Sequence, residues 1–236
     1  MIFERYKNRV DLLLQLLPYV AKEEIFALKG GTAINLFVRN MPRLSVDIDL
    51  HYIPIKSRDQ SLREINEALE RIRKDIEKSI RGIHLIINKP KEADADLKLN
   101  CQLNRAQIKI EVNSITRGII APVRNMQISR QVQENFRRFA SINVLSHAEL
   151  FGGKIIASLD RQHPRDLFDI KLLMENEGID RDVLLGFITM LVSHYKPIHE
   201  ILDPELKNQK SALNVQFAGM TDLQFTYFDY EKTRNT

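Results

Sequence analysis

The chain has 236 residues, a length that suits one large domain or two small ones. Apolar residues at 44% supply a substantial core, while 28% charged residues with only 9 Gly and 8 Pro exclude collagen-like and low-complexity classes and argue against extensive disorder. The formal charge of +4 permits a polyanionic partner without demanding one, and a single cysteine, Cys101, excludes an intrachain disulfide and a multi-cysteine metal site, so a cytoplasmic setting is the default.

Residues 3–20 place Val10, Leu13, Leu14 and Leu17 at helical spacing, with Pro18 weakening the pattern near its end. The apolar run "DLLLQLLPYV" is much shorter than the ~20 residues that cross a bilayer and follows Glu4, Arg5, Lys7 and Arg9. It reads as an amphipathic helix rather than a signal or an anchor, and no membrane association is expected. "EIFALKGG" is a short strand-compatible run closing in Gly30 and Gly31, after which Thr32 to Phe37 open another helix. "RLSVDIDLHYI" alternates, with Leu44, Val46, Ile48 and Leu50 on one side and Ser45, Asp47, Asp49 and His51 on the other, which predicts a strand with one buried face. Leu62, Ile65, Leu69, Ile72, Ile76 and Ile80 predict a helix over 57–81, with Ser61 and Glu64 as its capping box. Three strands are predicted next, over "IHLIIN", "LKLNCQLN" and "AQIKIEVNS", the first two joined by the polar "KPKEADAD". Beyond about Ile142 the pattern turns helical, through "SHAELFGGKIIASLDR", "PRDLFDIKLLMEN" and "RDVLLGFITMLVSHY". The chain is weakly patterned after Pro204, and "EKTRNT" reads as a frayed end. Strands then helices predict an α/β (α+β) sheet domain over 1–140 and a helical domain over 141–236.

Two residues apart on a strand, Asp47 and Asp49 share a face with α-carbons about 6.5 Å apart, so both carboxylates can converge on one cation. The chemistry that uses such a pair is metal-assisted phosphoryl or nucleotidyl transfer, in which a third acid from a neighbouring strand completes the set. Glu111, on the polar side of "IKIEV", is the candidate. The competing reading is a solvated strand face; against it, Asp is depleted in strands because its side chain competes for backbone hydrogen bonds. Gly30 and Gly31 would let backbone approach a ligand, with the amides opening the next helix facing an anion. A simple tight turn is the alternative there.

"KGGTAINLF" followed by "RLSVDIDL" resembles the signature of the polymerase-β-type nucleotidyltransferase superfamily. More narrowly, with "KIIASLDRQHPRDLFDIKLL", it resembles the AbiEii nucleotidyltransferase toxins of type IV toxin–antitoxin and abortive-infection systems. The resemblance covers approximately residues 26–173. It implies a nucleotidyltransferase fold in which a mixed sheet flanked by helices carries the metal site and a helical C-terminal domain completes the nucleotide cleft. It also implies that Gly30, Gly31 and Thr32 hold the β- and γ-phosphates, that Arg43 and Ser45 help bind the triphosphate, and that Asp47, Asp49 and Glu111 bind Mg²⁺, with Mn²⁺ as an alternative. Lys154 would neutralise phosphate charge, while Asp166 and Asp169 would orient Lys154, Arg161 or the incoming NTP. The implied acceptor is the 3′ end of tRNA, whose modification would stop translation, and a cognate antitoxin is expected. A protein or small-molecule acceptor on the same fold, or a non-catalytic RNA-binding or antitoxin-type module, are the rival readings.

Taken without the resemblance, Asp166 and Asp169 could pair with Arg165 or Lys171 on one helix face, and Lys154 could be a solvated lysine. The six histidines show no zinc spacing, there is no GxSxG elbow, and Cys101 on an apolar strand reads as packing. "FRRF" at 136–139 could grip RNA, but reads more readily as a solvated turn with two buried rings.

Overall fold

The alternating and helical patterns resolve into one mixed sheet with helices against it and a succession of helices after it. The fold is described by a computed structural model covering residues 4–88 and 97–236; the polar connection "KPKEADAD" expected between two strands lies outside the described residues. In chain order the elements are α1 (Glu4–Val20), β1 (Phe26–Lys29), α2 (Gly30–Ala33) widening into a π-helical turn (Ile34–Val38), β2 (Ile48–Tyr52), α3 (Arg58–Ser79), β3 (His84–Asn88), β4 (Leu97–Leu103), β5 (Ala106–Arg117), β6 (Arg124–Gln127), α4 (Arg130–Phe136) and β7 (Ser141–Val144). Then follow α5 (His147–Arg161), α6 (Pro164–Asn176), α7 (Arg181–Val192), α8 (Ile198–Leu202), α9 (Lys210–Ala212) with a second π-helical turn (Leu213–Phe217), and α10 (Tyr227–Asn235). The described residues divide into two compact units, 4–145 and 146–236.

The first unit is a seven-stranded sheet in the order β3-β4-β5-β2-β1-β7-β6. Its centre is parallel where β2 meets β5 and where β1 meets β7, and antiparallel elsewhere. Burial of Ile48 and Leu50 on β2, Ile108, Ile110 and Val112 on β5, and Leu97, Leu99 and Cys101 on β4 defines one apolar face. The buried stripe of α1 (Val10, Leu13, Leu14, Leu17) and that of α3 (Ile65, Leu69, Ile72, Ile76) supply the helical side of this core. The helical period of α1 and α3 and the two-residue period of the strands are thus satisfied together.

Several local expectations change. Helix α3 is capped by Ser57, whose hydroxyl accepts from the Gln60 N–H, one turn before the Ser61–Glu64 pair. Ser61 instead donates to the Ser57 carbonyl, and Glu64 accepts from Tyr52 Oη at 2.6 Å and from Lys56. The alternating run from 44 enters the ladder only at Ile48, and Ser45 and His51 on its polar side are buried. Each has a partner that repays burial: Ser45 Oγ lies 3.0 Å from Thr32 Oγ1, and His51 Nε2 lies 2.5 Å from the Gly118 carbonyl. In the "FRRF" turn, Arg137 takes a left-handed conformation, Arg138 pairs with Asp11, and Phe139 is exposed rather than buried.

In the second unit, α5 and α7 cross where Gly152 and Gly186 meet backbone to backbone: a Cβ on Gly186 would fall 2.1 Å from the Ala148 carbonyl oxygen. Phe168, Phe217 and Phe225 form an aromatic cluster with centroid separations of 5.2 to 5.5 Å. "EKTRNT", expected to fray, is mostly helical, because Thr226 and Asp229 form a reciprocal capping box at the start of α10 and Tyr230 buries completely.

Candidate active site

The glycine turn and the acidic strand are built against each other. Gly30 opens α2 at φ +71°, a conformation glycine adopts without steric cost. A Cβ there would lie 2.6 Å from Asp49 Oδ2; one on Gly31 would lie 2.7 Å from Arg43 Nη2 and 3.1 Å from Ser45 Oγ. Gly30 is thus fixed as glycine by its left-handed backbone and the nearby Asp49 carboxylate, whereas a Cβ on Gly31 would meet only the movable ends of Arg43 and Ser45. Thr32 is completely buried: its hydroxyl donates to the Asp47 carbonyl at 2.5 Å, tying the turn to the segment that leads into β2. Its hydroxyl is taken up by this tie. Arg43, also buried, donates to the Leu44 carbonyl at 2.9 Å.

Strand register then assembles a charged row. Lys29 on β1 is opposite Asp49 on β2, Asp49 is opposite Glu111 on β5, and Glu111 is opposite Lys98 on β4. Residues paired across a ladder share a face, so lysine, aspartate, glutamate and lysine run in line across four strands, on the side away from Ile48, Ile110 and Leu99. Lys98 Nζ pairs with Glu111 Oε1 at 3.1 Å. Neighbouring carboxylates repel, and the flanking ammonium groups offset that repulsion. Asp47 stands two residues before Asp49, half-buried like it, while the intervening Ile48 is buried.

Among the described residues no three His, Cys, Asp or Glu side chains form a group that could hold a metal ion. The donor chemistry nonetheless suits a hard cation: Asp47, Asp49 and Glu111 offer carboxylate oxygens only, the ligand type Mg²⁺ prefers. Cys101 offers nothing to such a site, since burial pushes its thiol up to about 12.

The second unit holds the remaining expected residues in one network. Lys154 on α5 is buried, with Nζ 2.8 Å from Asp166 Oδ1 and 3.1 Å from Asp169 Oδ2; Arg161 Nη2 lies 2.9 Å from Asp166 Oδ2. Ser146 caps α5, and α6 starts with Pro164 at its first position and Asp166 in its first turn. Asp166 and Asp169 thus both reach the Lys154 ammonium. Lys154 is not a solvated lysine: its side chain is 6% exposed, whereas that of Arg161 is 61% exposed and presents its guanidinium to solvent. Two buried carboxylates around one ammonium leave a negative charge that Arg161 offsets.

Lys29, Lys98 and Asn35 were not singled out from the sequence. Asn35 is completely buried and donates to the Gly31 carbonyl at 3.0 Å, bracing the turn from inside the helix. The alternation of "LKLNCQLN" carried a signal for Lys98, but only the register sets it opposite Glu111. A cavity of about 440 Å³ opens elsewhere in the first unit, beside Asn8, Asp11, Gln15 and Arg105, and no candidate residue lines it.

The sequence matches the family described as nucleotidyl transferase AbiEii toxin, type IV TA system, over residues 11–227. Among solved structures, MenT4, a nucleotidyltransferase toxin from Mycobacterium tuberculosis H37Rv, is similar at 13% identity and TM-score 0.62, covering 98% of this chain and 87% of its own. An H. pylori protein assigned to the nucleotidyltransferases is similar at 17% identity and TM-score 0.56, covering 99% and 92%. No curated protein sequence matches the chain.

Proposed function

The chain belongs to the AbiEii nucleotidyltransferase toxin family of type IV toxin–antitoxin systems, and from that premise we propose that it transfers a nucleoside monophosphate from an NTP to the 3′ end of tRNA. The observation that carries the reading is the contact of Gly30 with Asp49, with Glu111 directly across the ladder. It puts close-approaching backbone and two carboxylates in one place, which is what a triphosphate and its counter-ions require.

In this reading the backbone amides of Gly30, Gly31 and Thr32 receive the β- and γ-phosphates, with Arg43 and Ser45 beside them. Asp47, Asp49 and Glu111 would hold Mg²⁺ or Mn²⁺. When bound, the ion neutralises charge on the phosphates and lowers the pKa of the attacking hydroxyl. Lys154 and Arg161 neutralise phosphate charge, and Asp166 and Asp169 keep the Lys154 ammonium fixed. The acceptor hydroxyl attacks the α-phosphate in line and pyrophosphate leaves. Addition to the tRNA end blocks aminoacylation and so translation. The site of action is the cytoplasm, and the antitoxin of the system opposes the outcome.

The test is incubation of the chain with each α-labelled NTP, Mg²⁺ and total tRNA, beside Asp49→Asn. Label is expected in tRNA with the native chain. Asp49→Asn should lower transfer by roughly 100-fold or more, the scale of losing one electrostatic contact to the transition state. Equal labelling by both would reject the assigned centre; label in protein or in a small molecule instead would move the acceptor; RNA binding with no transfer from any NTP would make the chain a binding module.

A further inference from the structure

Helix α5 carries Lys154 and ends at Arg161, and the carbonyls of a last helical turn need donors from outside the helix. Here they come from far downstream. Lys207 Nζ donates to the Asp160 carbonyl at 2.7 Å, Gln209 Nε2 to the Arg161 carbonyl at 3.1 Å, and the Tyr230 hydroxyl to the Gln162 carbonyl at 2.9 Å. Gln162 itself follows the helix in a left-handed conformation, φ +52° and ψ +31°, where glycine is the usual residue. A non-glycine residue stays in that region when its surroundings over-determine it. Those of Gln162 do: the side chain is 1% exposed, Nε2 donates to the Glu205 carbonyl at 2.8 Å, and Oε1 accepts from the Lys207 N–H at 2.9 Å. The amide thus pairs with backbone at both ends, as a neighbouring strand would.

Only Gln162 and His163 separate α5 from α6. The conformation of this corner sets how the two helices meet, and so the fit of Lys154 on Asp166 and Asp169 and of Arg161 on Asp166. We propose that Gln162, clamped by Glu205, Lys207 and Tyr230, is a positioning residue that holds Arg161 and the Lys154–Asp166 pair for the nucleotide phosphates, making the segment after residue 204 a brace for nucleotide binding. The inference rests on the nucleotidyltransferase reading above.

Gln162→Gly keeps the left-handed backbone unstrained while removing the whole buried side chain with its amide, and Tyr230→Phe removes only a hydroxyl. The KM for the NTP is expected to rise about tenfold in the first and about threefold in the second, with kcat changed by less than about threefold. Placed on Arg161→Ala, the Gln162→Gly effect should be smaller than in the wild-type chain, because the part that passes through Arg161 is already lost. Effects that instead multiply, or an unchanged KM in Gln162→Gly, overturn the positioning role. Amide hydrogen exchange at 161–167 should quicken in both variants without any substrate, and unchanged exchange overturns the brace. A wild-type chain that transfers no nucleotide would sink the nucleotidyltransferase reading and the positioning role with it, while the exchange comparison still decides whether the clamp exists.

Discussion

His163 shows how one side chain couples the corner to pH. Its Nδ1 accepts from the Arg165 N–H at 3.1 Å to cap α6, while its Nε2 lies 3.0 Å from Gln216 Oε1. Accepting at Nδ1 requires the neutral ring with its proton on Nε2, which then donates to Gln216 Oε1. Burial lowers its pKa, opposed by the Gln216 bond and Asp166 and reinforced by Arg165 and Arg161. A folded pKa below the unfolded value means the unfolded chain binds the proton more readily, so this contribution is complete above about pH 6.5 and is lost as pH falls through the folded pKa. Between about pH 7 and pH 5 the wild-type melting temperature should therefore fall more than that of His163→Asn, which caps without titrating; parallel curves would refute the coupling. The same scale shows what a sequence hides. Asp47, Asp49 and the glycine pair stood out because each breaks a local rule, a carboxylate in a strand or two glycines in a chain with few. Lys29 and Lys98 break none, and their place beside the acids exists only once the ladder fixes who stands opposite whom.

Among the elements, the crossing of α5 and α7 is the least tolerant. Gly186 has no room for a methyl group, since its neighbour is Ala148 backbone rather than a movable side chain. Gly186→Ala should force the helices apart and cost ~3 kcal/mol, the upper end for an overpacked contact, read as a lower midpoint in urea unfolding. A loss under about 0.5 kcal/mol would mean the helices slide freely. Nothing local in "VLLGFITML" announces this, because an isolated glycine in a helical pattern reads only as a weak spot. Long elements were the legible ones: α1, α3, α5, α6 and α7 each repeat their apolar period several times. The strands β6 and β7 are four residues each and α4 is seven, too short to establish a period that the sequence could show. The start of α3 is ambiguous in sequence because Ser57 and Ser61 are both plausible caps, and only Ser57 lies where the backbone leaves helical geometry.

At the level of the whole chain, strands giving way to helices and the family signature were both readable from the residues. A charge of +4 is too small to name a partner, yet it makes the acceptor testable. If RNA is the acceptor, its KM should rise about tenfold when salt goes from about 50 to about 200 mM, because each phosphate contact releases counter-ions. A KM that ignores salt would favour an uncharged acceptor. What the sequence could not assign was the stretch beyond Pro204, since polar residues that cap distant carbonyls have no period of their own. Their placement has a temporal corollary. The ribosome makes the candidate acids of β2 and β5 well before the hydroxyl that finishes the α5 end, which belongs to Tyr230. A product released before Tyr230 would carry those carboxylates while the Gln162 carbonyl lacked its hydroxyl donor.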